Sequence, residues 1–169
     1  MKIPGIDPGI HGGLAIIDVI NGAAPQLIDA IDVPIVGVKA KERVDALGIR
    51  AWIEAHKPID HAAIERAGSM PKQGVASTFK YGAAYGALRT TVALCNIPYR
   101  LVTPGKWKAH FHLDADKEKS RALAIQLWPG CGYFALKKHH GRAEAALIAR
   151  YGAETCPQAN RGHVYERPR

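Results

Sequence analysis

Residues 2–33 read KIPGIDPGIHGGLAIIDVINGAAPQLIDAIDV, and this stretch decides the fold. Three runs of β-type composition, Lys2 to Asp7, Gly13 to Ile20 and Gln26 to Val33, are separated by Pro8-Gly9 and Asn21-Gly22, pairs suited to tight reversals. Links this short join neighbours, so the spacing predicts three antiparallel strands in succession. The first strand ends on Asp7, which precedes a proline and is therefore biased to extended backbone at the rim of a sheet. Pro4 lies inside that strand, where a missing N–H would cost a ladder bond, and is expected at the strand's start or at a bulge.

Beyond Val33 the pattern alternates. Glu42 to His56 has helical spacing, with Ile49, Trp52 and Ile53 on one face and Pro58 as a stop. His61 to Glu65 reads as a strand, Val75 to Leu94 as a long helix, and Pro98 to Val102 as another strand. Asp116 to Trp128 and Arg142 to Tyr151 read as helices, the last stopped by Gly152. Three strands, helix, strand, helix, strand and later helices give an α/β fold, a mixed sheet with helices on its faces. On the long helix, Tyr81, Tyr85, Leu88 and Val92 form one stripe and Phe79, Ala83, Ala87 and Thr90 another, so it should be covered on two sides. Gly82 and Gly86 allow close approach of a second backbone, either the protein's own sheet or another subunit.

At 169 residues the chain suits one domain, taken as 1–155, followed by a basic, polar tail at 156–169. A net charge of +8 raises the prior for a polyanionic partner without establishing one. Cys95, Cys131 and Cys156 form no CxxC pair, which argues against a zinc knuckle or a disulfide framework and for a reducing compartment. With no apolar run of membrane-spanning length and no signal segment, the expected location is the cytoplasm, with no membrane contact. There is no GxxxxGK[ST] loop, no GxSxG elbow and no GxGxxG fingerprint.

The candidate chemistry rests on acids. Asp7 and Glu65 each end a predicted strand, and either could also be a plain turn or strand-end carboxylate. His140 and Glu144 are four apart on the last helix, where such side chains stack on one face. Glu144 shares its stripe with Leu147, Ile148 and Tyr151, which turns it inward towards the two strand ends. Oxygen donors in this number suit magnesium or manganese, and the chemistry implied is metal-assisted phosphodiester hydrolysis with two ions. His110 and His112 read as ordinary loop residues.

Gly5-Ile6-Asp7-Pro8-Gly9, Ile64-Glu65-Arg66 and His140-Gly141-Arg142-Ala143-Glu144-Ala145-Ala146-Leu147 together resemble the three catalytic blocks of RuvC-type Holliday junction resolvases, in the branch found in bacteriophages and organelles. The resemblance runs from about residue 2 to residue 152 and leaves open whether the source is a phage or a bacterium. It implies a ribonuclease H-like fold with a mixed five-stranded sheet, three strands antiparallel and then parallel ones. It further implies a homodimer, here through the helix Val75 to Leu94, that nicks four-way DNA junctions symmetrically using Mg²⁺ or Mn²⁺. Asp7, Glu65, His140 and Glu144 are the implied metal ligands, and Lys108 and Lys117 the implied cations near the scissile phosphate, with Lys119 competing for the second place. Lys72, Gln73, Lys80, Lys106, Lys137, Lys138 and Arg142 are candidate DNA contacts. The chain departs from the branch at His140, where an aspartate is usual. Other ribonuclease H-like activities, on RNA–DNA hybrids or flaps, and a non-cutting protein that binds branched DNA are the alternatives.

Overall fold

The computed structural model describes residues 1–20, 23–38, 41–66, 68 and 74–155. The candidate contacts Lys72 and Gln73 and the basic tail lie outside these residues.

The N-terminal run folds as three strands, β1 (Lys2–Asp7), β2 (Gly13–Asp18) and β3 (Gln26–Asp32), each antiparallel to the next. A short antiparallel pair of two-residue strands, β4 (Ile35–Val36) with β5 (Arg43–Val44), leads into helix α1 (Ala46–Ala55). Strand β6 (Ala62–Glu65), helix α2 (Val75–Leu94) and strand β7 (Tyr99–Val102) follow. The remainder is helical: α3 (Pro104–His110), α4 (Lys117–Leu127), a 3-10 turn over Lys137–His139, and α5 (His140–Thr155). The five-stranded sheet has the order β3-β2-β1-β6-β7, with β6 parallel to both β1 and β7. This is the mixed sheet that the sequence predicts.

Several boundaries move. The helix expected from Glu42 begins only at Ala46, because Arg43 and Val44 pair with Val36 and Ile35 and because Asp45 caps the helix by accepting from the Leu47 N–H at 3.1 Å. Helix α3 has no counterpart in the sequence pattern. It is one short segment in which only Trp107 is buried, too brief for a periodic apolar pattern. Helix α5 starts two residues earlier and ends four later than predicted.

Pro4 is neither at the start of β1 nor at a bulge. It pairs with Ile16 in an unbroken β1–β2 register. Met1 and Val19 exchange both backbone bonds across that pair, so odd-numbered residues of β1 face β2 and even-numbered ones face β6. Lys2 accordingly donates to Asp60 Oδ2 and accepts from the Asp60 N–H, and Pro4 faces the same side. Pairing with β6 begins only at Gly5, opposite Ala63, so the prolyl nitrogen stands just before the parallel ladder starts and Asp7 stays in place. The bulge lies elsewhere, between Ile16 and Ile17 on the β2–β3 pair.

Two apolar layers sandwich the sheet. Ile3, Ala15, Ile17 and Ala63 pack with Trp107, Phe134, Ala146, Leu147 and Ala149 under α5, while Ile6, Leu14 and Ile64 pack with Ile49, Ile53, Leu88 and Val92 under α1 and α2. Helix α5 lies on the sheet almost backbone to backbone. A Cβ on Gly5 would stand 2.0 Å from the Ala145 carbonyl oxygen, and one on Gly13 would stand 2.4 Å from the Gly141 carbonyl carbon. Arg100 of β7 pins the far end of this helix by donating to the carbonyls of Tyr151, Gly152 and Thr155.

Within the single chain, helix α2 is covered on one side only. Ala84, Leu88, Thr91 and Val92 are buried, but Phe79 is 78% exposed, Val75 87% and Leu94 78%, and a Cβ on Gly82 or Gly86 would meet nothing within 4 Å among the described residues. The two glycines therefore do not serve packing on the protein's own sheet. No helix among the described residues is long and apolar enough to cross a membrane.

Candidate active site

The carboxyl ends of β1 and β6 lie side by side because the two strands are parallel neighbours, so Asp7 and Glu65 reach the same rim. Helix α5 meets that rim with its first turn. Gly141 packs against Gly12, where a Cβ would stand 2.7 Å from the Gly12 carbonyl carbon, and Glu144 follows three residues later. The result is a cleft of about 360 Å³ whose walls include Asp7, Glu65, Glu144, Lys108, Lys117 and Tyr81, with the turn from Pro8 to Gly12 as a further wall.

Each acid has a distinct environment. Glu65 Oε2 accepts from the Trp107 indole N–H at 2.7 Å. Glu144 is only 6% exposed, and its Oε1 accepts from Lys108 Nζ at 3.0 Å and from the Ser120 hydroxyl at 3.3 Å. Burial raises the Asp7 pKa well above the usual carboxylate range, the negative charges of Glu65 and Glu144 push it further, and Lys117 and Lys108 offset part of the rise. Glu65 is also raised, by burial first, with the Trp107 bond opposing and Glu144 adding. Tyr81 is pushed up to about 12 by burial and by the nearby acids, so its phenol keeps its proton.

Among the described residues no three His, Cys, Asp or Glu side chains form a ready metal cage. The chemistry of the cleft nonetheless fits a hard divalent cation. Three carboxyl groups repel one another, their donors are all oxygen, and the hydrogen bonds take only one oxygen each from Glu65 and Glu144.

His140 does not join them. It is the first residue of α5, about 6 Å of helix rise before Glu144, and is not among the residues that line the cleft. The charges felt by its imidazole are those of Lys117, Glu144, Glu118 and Asp32, and burial is the main cause of its lowered pKa. Its Nδ1 is buried and has no hydrogen-bond partner among the described residues. Of the four residues expected to act together, Asp7, Glu65 and Glu144 line one cleft, and His140 is not among its lining residues.

Both candidate lysines line the cleft, Lys108 from α3 and Lys117 from the first turn of α4, which Asp116 caps by accepting from the Glu118 N–H at 2.9 Å. Lys119 is two residues further round the helix, on the opposite side, where it pairs with Asp114. Of the outlying candidates, Lys80, Lys106, Lys137 and Lys138 are exposed. Arg142 differs, because its guanidinium is held in a fork by Asp32 at 2.7 and 2.8 Å, so the DNA contact expected of it would have to compete with an internal ion pair. His110 pairs with Glu154 at 2.7 Å and stacks edge-on against Phe111 and Tyr151, a structural role.

Sequence reasoning misses three residues of this region. Trp107 and Ser120 lie in two segments that the resemblance includes, Trp107-Lys108 and Asp116-Lys117 to Ser120-Arg121, but nothing in the sequence gives either a role. Tyr81 stands out only as a member of a helical stripe.

No protein-family model and no curated protein matches this sequence. Solved structures do. The chain is similar to RuvC of Thermus thermophilus in complex with a Holliday junction substrate, at 20% identity and a TM-score of 0.66, over 90% of this chain and 93% of that one. Another T. thermophilus RuvC structure aligns at 22% identity and a TM-score of 0.56, over 90% and 97% of the two chains. The fowlpox virus Holliday junction resolvase aligns at 12% identity and a TM-score of 0.58, over 92% of this chain and all of that one (100%). With its sheet order and the placement of α5, the chain has the ribonuclease H-like fold of these resolvases.

Proposed function

We propose that the chain is a RuvC-type Holliday junction resolvase, a divalent-metal-dependent endodeoxyribonuclease that nicks four-way DNA junctions. The observation that carries this reading is the convergence of Asp7, Glu65 and Glu144 with Lys108 and Lys117 in one cleft, on the fold of a RuvC structure solved with a junction substrate. Asp7, Glu65 and Glu144 would hold Mg²⁺ or Mn²⁺, two ions in the finer form of the proposal, with His140 as an outer partner. The bound metal would supply Lewis-acid stabilisation and an activated water.

The chain's own residues do the rest. Lys117 and Lys108 bring positive charge to a half-enclosed cleft, where it offsets charge building on the phosphoryl oxygens more strongly than it could in water. Lys108 is salt-bridged to Glu144, so a phosphate would compete with that carboxylate for its ammonium. The Tyr81 phenol is a donor held neutral beside the acids. Exposed Lys80, Lys106, Lys137 and Lys138 would meet backbone phosphates, which position DNA without reading its sequence. A homodimer through the open face of α2 would present two clefts to a symmetric junction.

The test is cleavage of a labelled immobile junction with Mg²⁺ or Mn²⁺. Paired symmetric nicks that disappear in Asp7→Asn are expected, and linear duplex cut as fast as junction overturns the structure selectivity. A second reading, a protein that binds junctions without cutting, draws on the lack of a ready three-ligand cage among the described residues and on the Lys108–Glu144 pair. Tight junction binding with no cleavage at any concentration of either metal would select it.

A further inference from the structure

Trp107 is fully buried, yet its single polar atom does not face a backbone carbonyl or the core. It donates at 2.7 Å to Oε2 of Glu65, forty-two positions earlier in the chain. The same indole ring seats the Lys108 ammonium, whose nitrogen is 5.1 Å from the ring centroid and 3.0 Å from Glu144 Oε1. One side chain thus links two acids of the cleft, directly to Glu65 and through Lys108 to Glu144. A buried indole N–H needs an acceptor wherever it sits, and here that acceptor is one of the cleft's own acids.

We propose that Trp107 is a positioning residue for divalent-cation binding: its indole N–H fixes the Glu65 carboxylate and leaves Oε1 for the metal, while its ring steadies Lys108. This rests on the metal-dependent reading above. A carboxylate that accepts one fixed hydrogen bond loses rotational freedom before the cation arrives, and outer partners of this kind set metal affinity.

The three tryptophans provide an internal control. Trp52 donates to Asp29 at 2.7 Å and Trp128 to the Pro25 carbonyl at 2.9 Å, both away from the cleft. In the full chain labelled with ¹⁵N-tryptophan, a millimolar Mg²⁺ series should shift the Trp107 indole N–H resonance saturably and leave the other two in place. Trp107→Phe keeps an aromatic ring near Lys108 and removes the donor, together with the volume of the second ring. Its Mg²⁺ affinity, measured by calorimetry without DNA, should fall about tenfold. Junction cleavage should then recover at higher Mg²⁺ with an unchanged KM for DNA.

A Trp107 resonance unmoved through the series, or wild-type Mg²⁺ affinity in Trp107→Phe, overturns the proposal. If the variant does not fold, the wild-type spectrum still decides. A protein that shifts Trp107 with Mg²⁺ but cuts no junction would retain this inference and lose the resolvase reading, whereas junction cleavage with a silent Trp107 would do the reverse.

Discussion

Asp7 is the residue on which most depends. Its folded-state pKa is raised, so its contribution to stability is present below the unfolded value and is lost as pH rises through the folded one. Without metal, the protein therefore loses stability as Asp7 ionises. Asp7→Asn should melt a few degrees higher than wild type at pH 8 without metal, about 1 kcal/mol in a protein of this size, and the gap should close towards pH 4. Adding Mg²⁺ should raise the melting temperature of wild type more than that of the variant. In cleavage assays the same substitution should cost at least about a hundredfold by weakening the metal site, and Lys117→Ala a similar factor by removing a cation beside the reacting phosphate.

At the scale of elements, the strands are largely legible in the sequence and the site's supports are not. β1, β2 and β3 can be read because alternating composition and Gly, Pro and Asn reversals are local signals. Glu144 can be placed because its helical register with Leu147 and Ile148 carries it inward. Helix α3 escapes because a seven-residue element with one buried side chain has no period to detect. Trp107 escapes with it, since a bond between residues 65 and 107 is a tertiary fact that no window contains. The backbone approach of α5 to β1 is equally hidden, although Gly5 belongs to the first of the three blocks. Gly5→Ala should destabilise the protein by about 3 kcal/mol or more in urea unfolding, because the Ala145 carbonyl cannot retreat without moving the helix.

For the whole molecule, the open face of α2 and the exposed lysines make separable predictions. Phe79→Asp, at a position 78% exposed in the single chain, should leave the melting temperature nearly unchanged and shift sedimentation from dimer to monomer. Paired nicking should weaken with the same variant. Lys137→Ala with Lys138→Ala should lower junction affinity and reduce the slope of log K against log salt by about 2, one for each phosphate left without its lysine. An unchanged slope would remove these two residues from the DNA interface.

Helix α5 is seated on glycine at its head and gripped by Arg100 at its foot, so it has no loose end from which to fray. Amide exchange at Ala145 to Ala149 should thus proceed only by complete unfolding, at the rate set by global stability. Ligand-free and DNA-bound protein would then differ in the loops around the cleft while Glu144 keeps the same backbone address. Substrate recognition would then fall to the segments that surround a fixed shaft.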